Sequence, residues 1–187
     1  ASNSVTPTDT PTFNGSSPTG TGPITASFTG GGPACTFGTA QFIPVEGDPA
    51  SPPAGSAPPG VTFPHGLFDF TTVSCGTGSA VIITIVHPNG PPAGTQYWKY
   101  GPEAGSPPPG GYVIAAVLAG NTITFEITDG GLGDDDLTVN GTVVDQGGPG
   151  VGRPGGEVGI PTLSECAMSV LALLLGGTLF GFVGMMV

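Results

Sequence analysis

Short β-prone segments separated by glycine- and proline-rich turns most limit what this chain can fold into. Residues 24–29, 36–43, 80–86 and 122–128 are rich in β-branched and aromatic side chains, which favour strands. Turn signals recur about every ten residues, and no stretch before residue 166 has the period of an amphipathic helix. The pattern therefore predicts an all-β fold: an antiparallel β-sandwich, Ig-like or jelly-roll-like, whose last strand lies at about residues 137–144.

Composition divides the chain into four parts. Residues 1–23 consist largely of Ser, Thr, Pro and Gly with the single aromatic Phe13, and they are predicted to be a tail that does not fold alone. Such a tail becomes ordered when another surface holds it, and neighbouring copies in an assembly are the simplest source of one. The β-sandwich domain is predicted at 24–150, a linker at 151–165 and a hydrophobic helix at 166–187.

The run from Cys166 to Val187 is apolar and uncharged. As a helix it would be about 33 Å long, enough to cross a membrane, so we expect one C-terminal hydrophobic α-helix. Small residues recur along it and would let a second helix approach closely; they are Ala172, Gly177, Gly181 and Gly184. Because the chain's only cations, Lys99 and Arg153, lie upstream, a membrane span and a helix bundle at the core of an assembly both stay open.

A polar hexapeptide precedes this run. Its residues are Ile160, Pro161, Thr162, Leu163, Ser164 and Glu165. Followed by a hydrophobic helix, the hexapeptide resembles the IPTL-type C-terminal sorting signal of Gram-negative bacteria, although Cys166 stands where that family usually has Trp. The resemblance implies an exosortase-like processing enzyme as a partner, contact with the membrane during sorting, and a final place at the cell surface or outside the cell.

Three blocks in the middle of the chain carry a second resemblance. They are residues 63–70 (FPHGLFDF), 97–102 (YWKYGP) and 129–136 (DGGLGDDD). Together they resemble the choice-of-anchor U domain of bacterial surface proteins, over about half of the chain. That family implies surface display and brings no activity with it.

Charge and cysteine content indicate the compartment and exclude one class of partner. With 2 Lys+Arg against 13 Asp+Glu and a net charge of −11, the chain has too few cations to bind the phosphates of a nucleic acid. Cys35 and Cys75 flank a proline-rich stretch and could form a disulfide, leaving Cys166 over. The first residues lack both Met and a hydrophobic leader, which is typical of an exported chain whose signal peptide has been removed.

A cluster of aspartates is the candidate metal site. Asp129, Asp134, Asp136 and Asp145 lie with Asp135 in a glycine-rich stretch, where crowded carboxylates favour a hard divalent cation. We therefore predict Ca²⁺ binding, although the spacing is not that of an EF-hand. The alternative is an acidic hairpin whose aspartates cap tight turns.

Catalytic residues are hard to find in this sequence. His65 and His87 are the only histidines, and neither accompanies a recognisable nucleophile motif. The sequence therefore predicts an exported, non-enzymatic structural protein of the cell surface that self-assembles into a filament or layer through its C-terminal helix. The alternative is a singly displayed, membrane-anchored, Ca²⁺-dependent adhesin or binding module.

Overall fold

The computed structural model describes residues 10–103 and 106–152. Most of the linker, the sorting motif at 160–165, Cys166 and the predicted helix at 166–187 lie outside these residues, and so do its packing residues Ala172, Gly177, Gly181 and Gly184. Within the described ranges no helix has the length and apolar character needed to span a membrane.

The described residues form eleven β-strands, which confirms the all-β prediction. The strands are β1 Thr12–Ser16, β2 Pro23–Gly30, β3 Thr36–Ile43, β4 Val61–Thr62, β5 Leu67–Val73, β6 Ala80–Val86, β7 Gln96–Glu103, β8 Ser106–Ile114, β9 Val117–Ala119, β10 Thr122–Thr128 and β11 Val144–Gly152. Strands β3, β6 and β10 span the residues predicted for them, and β2 is longer by one residue at each end.

The strands build two antiparallel sheets in a sandwich-like arrangement. The first sheet has the order β1-β2-β6-β10-β9, and the second has the order β3-β5-β11-β7-β8, with the short β4 paired to the end of β11. Strand β11 is central in the second sheet because it pairs with β5 on one side and with β7 on the other. Side chains carried by β7 and β11 therefore lie side by side.

The core lies between the two sheets. Alternate residues of β2, β6 and β10 point inward from the first sheet and meet aromatic side chains of the second. Phe28 meets Phe37 with ring centroids 4.9 Å apart, and Tyr97 meets Phe125 at 4.2 Å. The buried apolar residues are Ile24, Ala26, Phe28, Cys35, Phe68, Phe70, Val81, Ile83, Ile85, Tyr97, Tyr112, Ile114, Ile123, Phe125, Ile127 and Val143.

The sandwich begins earlier than the predicted boundary at residue 24. Strand β1 pairs with β2, so the second half of the predicted tail belongs to the first sheet. Its aromatic Phe13 packs against Phe42 and Phe68, with ring centroids 5.6 and 6.2 Å apart. The surface that holds this segment is therefore the chain's own fold, because an edge of β2 was free to accept a strand.

The last strand also differs from its prediction. Residues 137–143 are irregular, with a bend at 140 and 141, and the strand is β11, which begins where the predicted one was to end. Its sequence, VDQGGPGVG, has little strand propensity. The packing requires these glycines: a Cβ on Gly147 would lie 2.7 Å from the Trp98 carbonyl oxygen and 2.8 Å from the Tyr97 ring.

Candidate functional site

The predicted acidic cluster lies in the connection between β10 and β11, residues 129–143, and at the start of β11. This connection lies against the turn that follows β5 and against the buried face of β7. The aspartates in it have three different surroundings, which decide what each carboxylate does.

Asp129 holds two turns together. Its buried carboxylate accepts hydrogen bonds from the backbone N–H groups of Gly78 at 2.6 Å, Gly141 at 2.8 Å and Asn140 at 3.2 Å. Burial works to raise the pKa of Asp129, but these donors outweigh it and hold the pKa below its usual value. Asp129 therefore stays ionised and ties the turn after β5 to the end of the β10–β11 connection.

Asp134 closes the middle of the same connection. Its carboxylate is fully buried and accepts from the backbone N–H groups of Gly130 at 2.7 Å and Val144 at 3.0 Å. Burial raises its pKa, against the effect of these donors. Asp136, in contrast, is exposed and caps its own turn, accepting from the Thr138 backbone N–H and the Asn140 side chain at 2.8 Å each.

Asp145 and Asp135 share the one cation among the described residues, Lys99. The Lys99 ammonium contacts the Asp145 carboxylate, donates to the Gly133 carbonyl oxygen, and lies 3.4 Å from Asp135 Oδ1. The side chains of Lys99 and Asp145 are both 0% exposed. Burial raises the pKa of Asp145, and it raises the pKa of Asp135 to about 7 against the opposing effect of Lys99.

The ionic cluster at Lys99 was not predicted from the sequence, where this residue is one of two cations upstream of the C-terminal run and part of the block at 97–102. A signal was present: strand residues two apart share a face, so a β7 that buries Tyr97 also buries Lys99. Nothing in the sequence gave the partner, because β11 was not recognised as a strand.

The structure therefore brings the four predicted calcium ligands into one region without pointing them at one place. No three His, Cys, Asp or Glu side chains gather around a common metal position in the described residues. Asp129 and Asp134 use their oxygens for backbone donors, and Asp145 faces Lys99.

Calcium binding by Asp129, Asp134, Asp136 and Asp145 stays a prediction. If these residues bind Ca²⁺, titration with millimolar Ca²⁺ should produce a heat of binding. The melting temperature should also be higher with Ca²⁺ present, because the ion would relieve repulsion between the carboxylates. Isothermal titration calorimetry and melting curves measure both. No heat, together with melting that is unchanged by a chelator, would contradict it.

The predicted disulfide is confirmed. Cys35 and Cys75 are bonded across 40 residues of sequence, joining the segment before β3 to the turn after β5. The same turn is held by hydrogen bonds from Gly76 N–H to the Gly31 carbonyl oxygen at 2.7 Å and from Cys75 N–H to the Gly141 carbonyl oxygen at 3.1 Å. The disulfide and Asp129 therefore secure the same end of the sandwich.

The two histidines form a buried stacked pair. The rings of His65 and His87 lie 4.7 Å apart between centroids, and Thr21 Oγ1 shares a 2.8 Å hydrogen bond with His65 Nδ1. Burial lowers the pKa of His65; it lowers the pKa of His87 to about 4, with a further contribution from the charge of His65. Both rings are therefore neutral at pH 7 and pack as core side chains.

No protein-family model, no curated protein and no solved structure matches this chain. The resemblances to the IPTL-type sorting signal and to the choice-of-anchor U domain therefore stay predictions.

We expect Asp129→Ala to lower the free energy of unfolding by about 2–4 kcal/mol, because it leaves three N–H groups without their charged acceptor. The control is Asp136→Ala, which removes an exposed cap and should cost less than about 1 kcal/mol. Urea unfolding with the disulfide intact measures both. Equal losses in the two variants would show that Asp129 does not hold the turns.

The histidine pair should make the fold less stable in mild acid. Because the folded pKa of His87 is about 4 and the unfolded value is 6.5, the unfolded chain takes up the proton first as the pH falls. The His87 contribution is thus complete above pH 6.5 and is lost on descending to about pH 4, by up to about 3 kcal/mol.

The raised pKa of Asp135 acts in the opposite direction over the same range, so the variant His87→Phe must be compared with the unchanged protein. We expect the free energy of unfolding to fall less between pH 7 and pH 4.5 in the variant, as measured by urea unfolding at each pH. The same fall in both proteins would contradict a neutral, buried His87.

Proposed function

We propose that this chain is an exported, non-enzymatic structural protein of the bacterial cell surface that self-assembles into an extracellular filament or layer. In this proposal the sandwich is of the Ig-like or jelly-roll-like class, and residues 166–187 form a C-terminal hydrophobic helix at the core of the assembly. The IPTL-type signal at 160–165 is the part that an exosortase-like enzyme would read at the membrane.

One observation carries the proposal: the buried aspartates and the buried lysine of the described fold each bind another part of that fold. Asp129 and Asp134 accept from backbone N–H groups, Lys99 meets Asp145, and His65 stacks on its partner. Catalytic groups need an exposed functional atom within reach of a substrate. Side chains committed to the scaffold in this way favour a structural role.

The disulfide supports export. Disulfides persist in oxidising compartments such as the periplasm and the cell surface and are rare in the cytosol. Closing a loop of 40 residues restricts the unfolded chain by about 4 kcal/mol on an entropic model. A covalently closed module therefore suits a place outside the cytosol.

Charge distribution supports self-association. Copies with a net charge of −11 repel each other over most of their surface. The outer face of the first sheet is different, since Glu126 is the one charged residue in β1, β2, β6, β9 and β10. The exposed Val86 lies there between two threonines, and the exposed Ile82 lies between a threonine and Glu126. A second copy therefore meets a single charge on this face.

Assembly is tested by electron microscopy and analytical ultracentrifugation of the full-length protein. We expect regular filaments or sheets, favoured by higher salt because salt screens the repulsion between copies, and a soluble monomer when residues 166–187 are deleted. On the sheet face, Thr84→Asp should weaken assembly. The control Asn89→Asp adds the same charge on an exposed residue of the β6–β7 loop and should leave assembly intact.

Full-length protein that stays monomeric in detergent would contradict assembly and favour the singly displayed, membrane-anchored alternative. In that case binding to a glycan array that is lost on adding a chelator would identify a Ca²⁺-dependent adhesin. Equal assembly of Thr84→Asp and Asn89→Asp would remove the sheet face from the proposal and leave the C-terminal segment as the contact.

A further inference from the structure

The side-chain nitrogen of Lys99 lies against the carboxylate of Asp145 in the core of the second sheet. Lys99 on β7 pairs with Gly147 on β11, and Asp145 precedes that glycine by two residues, so the two side chains share the inward face as diagonal neighbours. The Lys99 ammonium contacts the Asp145 carboxylate, and Asp135 lies 3.4 Å from the same nitrogen.

The surroundings of this contact are apolar. Tyr97 precedes Lys99 on the same face of β7, Tyr112 is its cross-strand partner on β8, and Phe70 is the partner of Asp145 on β5. All three aromatic residues are buried, with exposures of 8% or less. An ion pair held there has lost its hydration, and this loss disfavours both charged groups.

Asp145 differs from the other buried aspartates in what surrounds its oxygens. Asp129 accepts three backbone N–H groups and Asp134 accepts two, which stabilise the ionised form. Neither oxygen of Asp145 has a backbone donor in the described part of the chain, and both are buried. Among the described residues, Lys99 is thus the polar group that contacts the Asp145 carboxylate.

We propose that Lys99 and Asp145 condense into an intramolecular amide, an isopeptide bond between β7 and β11. Nζ forms a bond to Cγ of Asp145, and one Cγ–O bond breaks. The departing oxygen leaves as water with two protons from the ammonium, and the third proton remains as the amide N–H. Charge balances because one ammonium and one carboxylate become a neutral amide, and no oxidant, reductant or further reactant is consumed.

Asp135 is placed to move the protons. Its carboxylate reaches Nζ at 3.4 Å, so it can take a proton from nitrogen and return it to the departing oxygen, ending unchanged. Its position is fixed by a 2.8 Å hydrogen bond from its own N–H to the Val144 carbonyl oxygen. The absence of a side chain at Gly101 leaves space for the Asp135 carboxylate, since a Cβ at Gly101 would collide with it.

The product fits the site better than the ion pair does. The amide N–H inherits the Gly133 carbonyl acceptor that the ammonium already uses. The amide carbonyl can accept from Asp135 in its protonated form. The desolvation cost of two buried charges disappears, because an amide is neutral and has both its polar groups satisfied.

The test is the intact mass of the full-length protein after denaturation and reduction of the disulfide. We expect the mass to be lower than that of the sequence by one water. After digestion, we expect a branched peptide that contains both Lys99 and Asp145, with trypsin failing to cut after Lys99. A mass equal to that of the sequence, meaning an ion pair only, would overturn the proposal.

A water can also be lost by succinimide formation at Asp129-Gly130, which gives a linear peptide that hydroxylamine cleaves. That result, or a branch at Asp135 in place of Asp145, would likewise overturn the assignment. The variant Lys99→Arg keeps the charge without the amine and should show the full sequence mass; Lys99→Met serves the same purpose if the first variant does not fold.

Asp135→Asn tests the proton carrier separately. We expect a folded protein, by circular dichroism, in which the water loss is absent or at least tenfold slower than in the unchanged chain. The matched control Asp69→Asn alters a half-buried aspartate of the neighbouring β5 that does not contact Lys99 and should keep the lower mass. Normal water loss in Asp135→Asn would remove Asp135 from the reaction.

Discussion

The buried contact between Lys99 and the carboxylates of Asp135 and Asp145 is the interaction on which the second sheet depends. It joins β7 to β11, the central strand, and it holds the β10–β11 connection against both through the Gly133 carbonyl oxygen. Removing one partner of a buried ion pair costs about 3–5 kcal/mol, because the remaining charge cannot reach water. Because β11 is rich in glycine, it has few side chains that can pack in the core. The contact with Lys99 compensates for this shortage of packing interactions.

Much of the fold could be predicted from the sequence, and the exceptions have physical reasons. Strands β6 and β10 bury alternate β-branched or aromatic side chains, and β3 packs Phe37, Ala40 and Phe42 against the core, which is the signal that periodicity detects. Strand β1 was not predicted because its pairing depends on the free edge of β2 and on the packing of one aromatic side chain, Phe13. Both are features of the tertiary structure that the local sequence does not show. Strand β11 escaped because its glycines are required by the neighbouring Trp98 and Tyr97, while propensity counts glycine against a strand.

The residues of the candidate site could be predicted from the sequence, but the arrangement of their side chains could not. The crowding of aspartates and the pairing of Cys35 with Cys75 are visible in the sequence, and the disulfide is confirmed. The separate role of each carboxylate depends on which backbone N–H or ammonium group the fold brings to it. A spacing pattern cannot distinguish Asp129, which faces three N–H groups, from Asp145, which faces Lys99, since that difference arises from strand register.

The scarcity of cations explains why glycine and aspartate occur together in this chain. With 2 Lys+Arg for 13 Asp+Glu, most buried carboxylates cannot find a cationic partner and need another source of positive potential. Backbone N–H groups provide it where the chain turns back on itself, and Gly78, Gly130 and Gly141 donate from left-handed conformations with φ of 72°, 75° and 82°. The glycine content that resembles low complexity is, in these turns, what allows an acidic chain to bury aspartates and still fold.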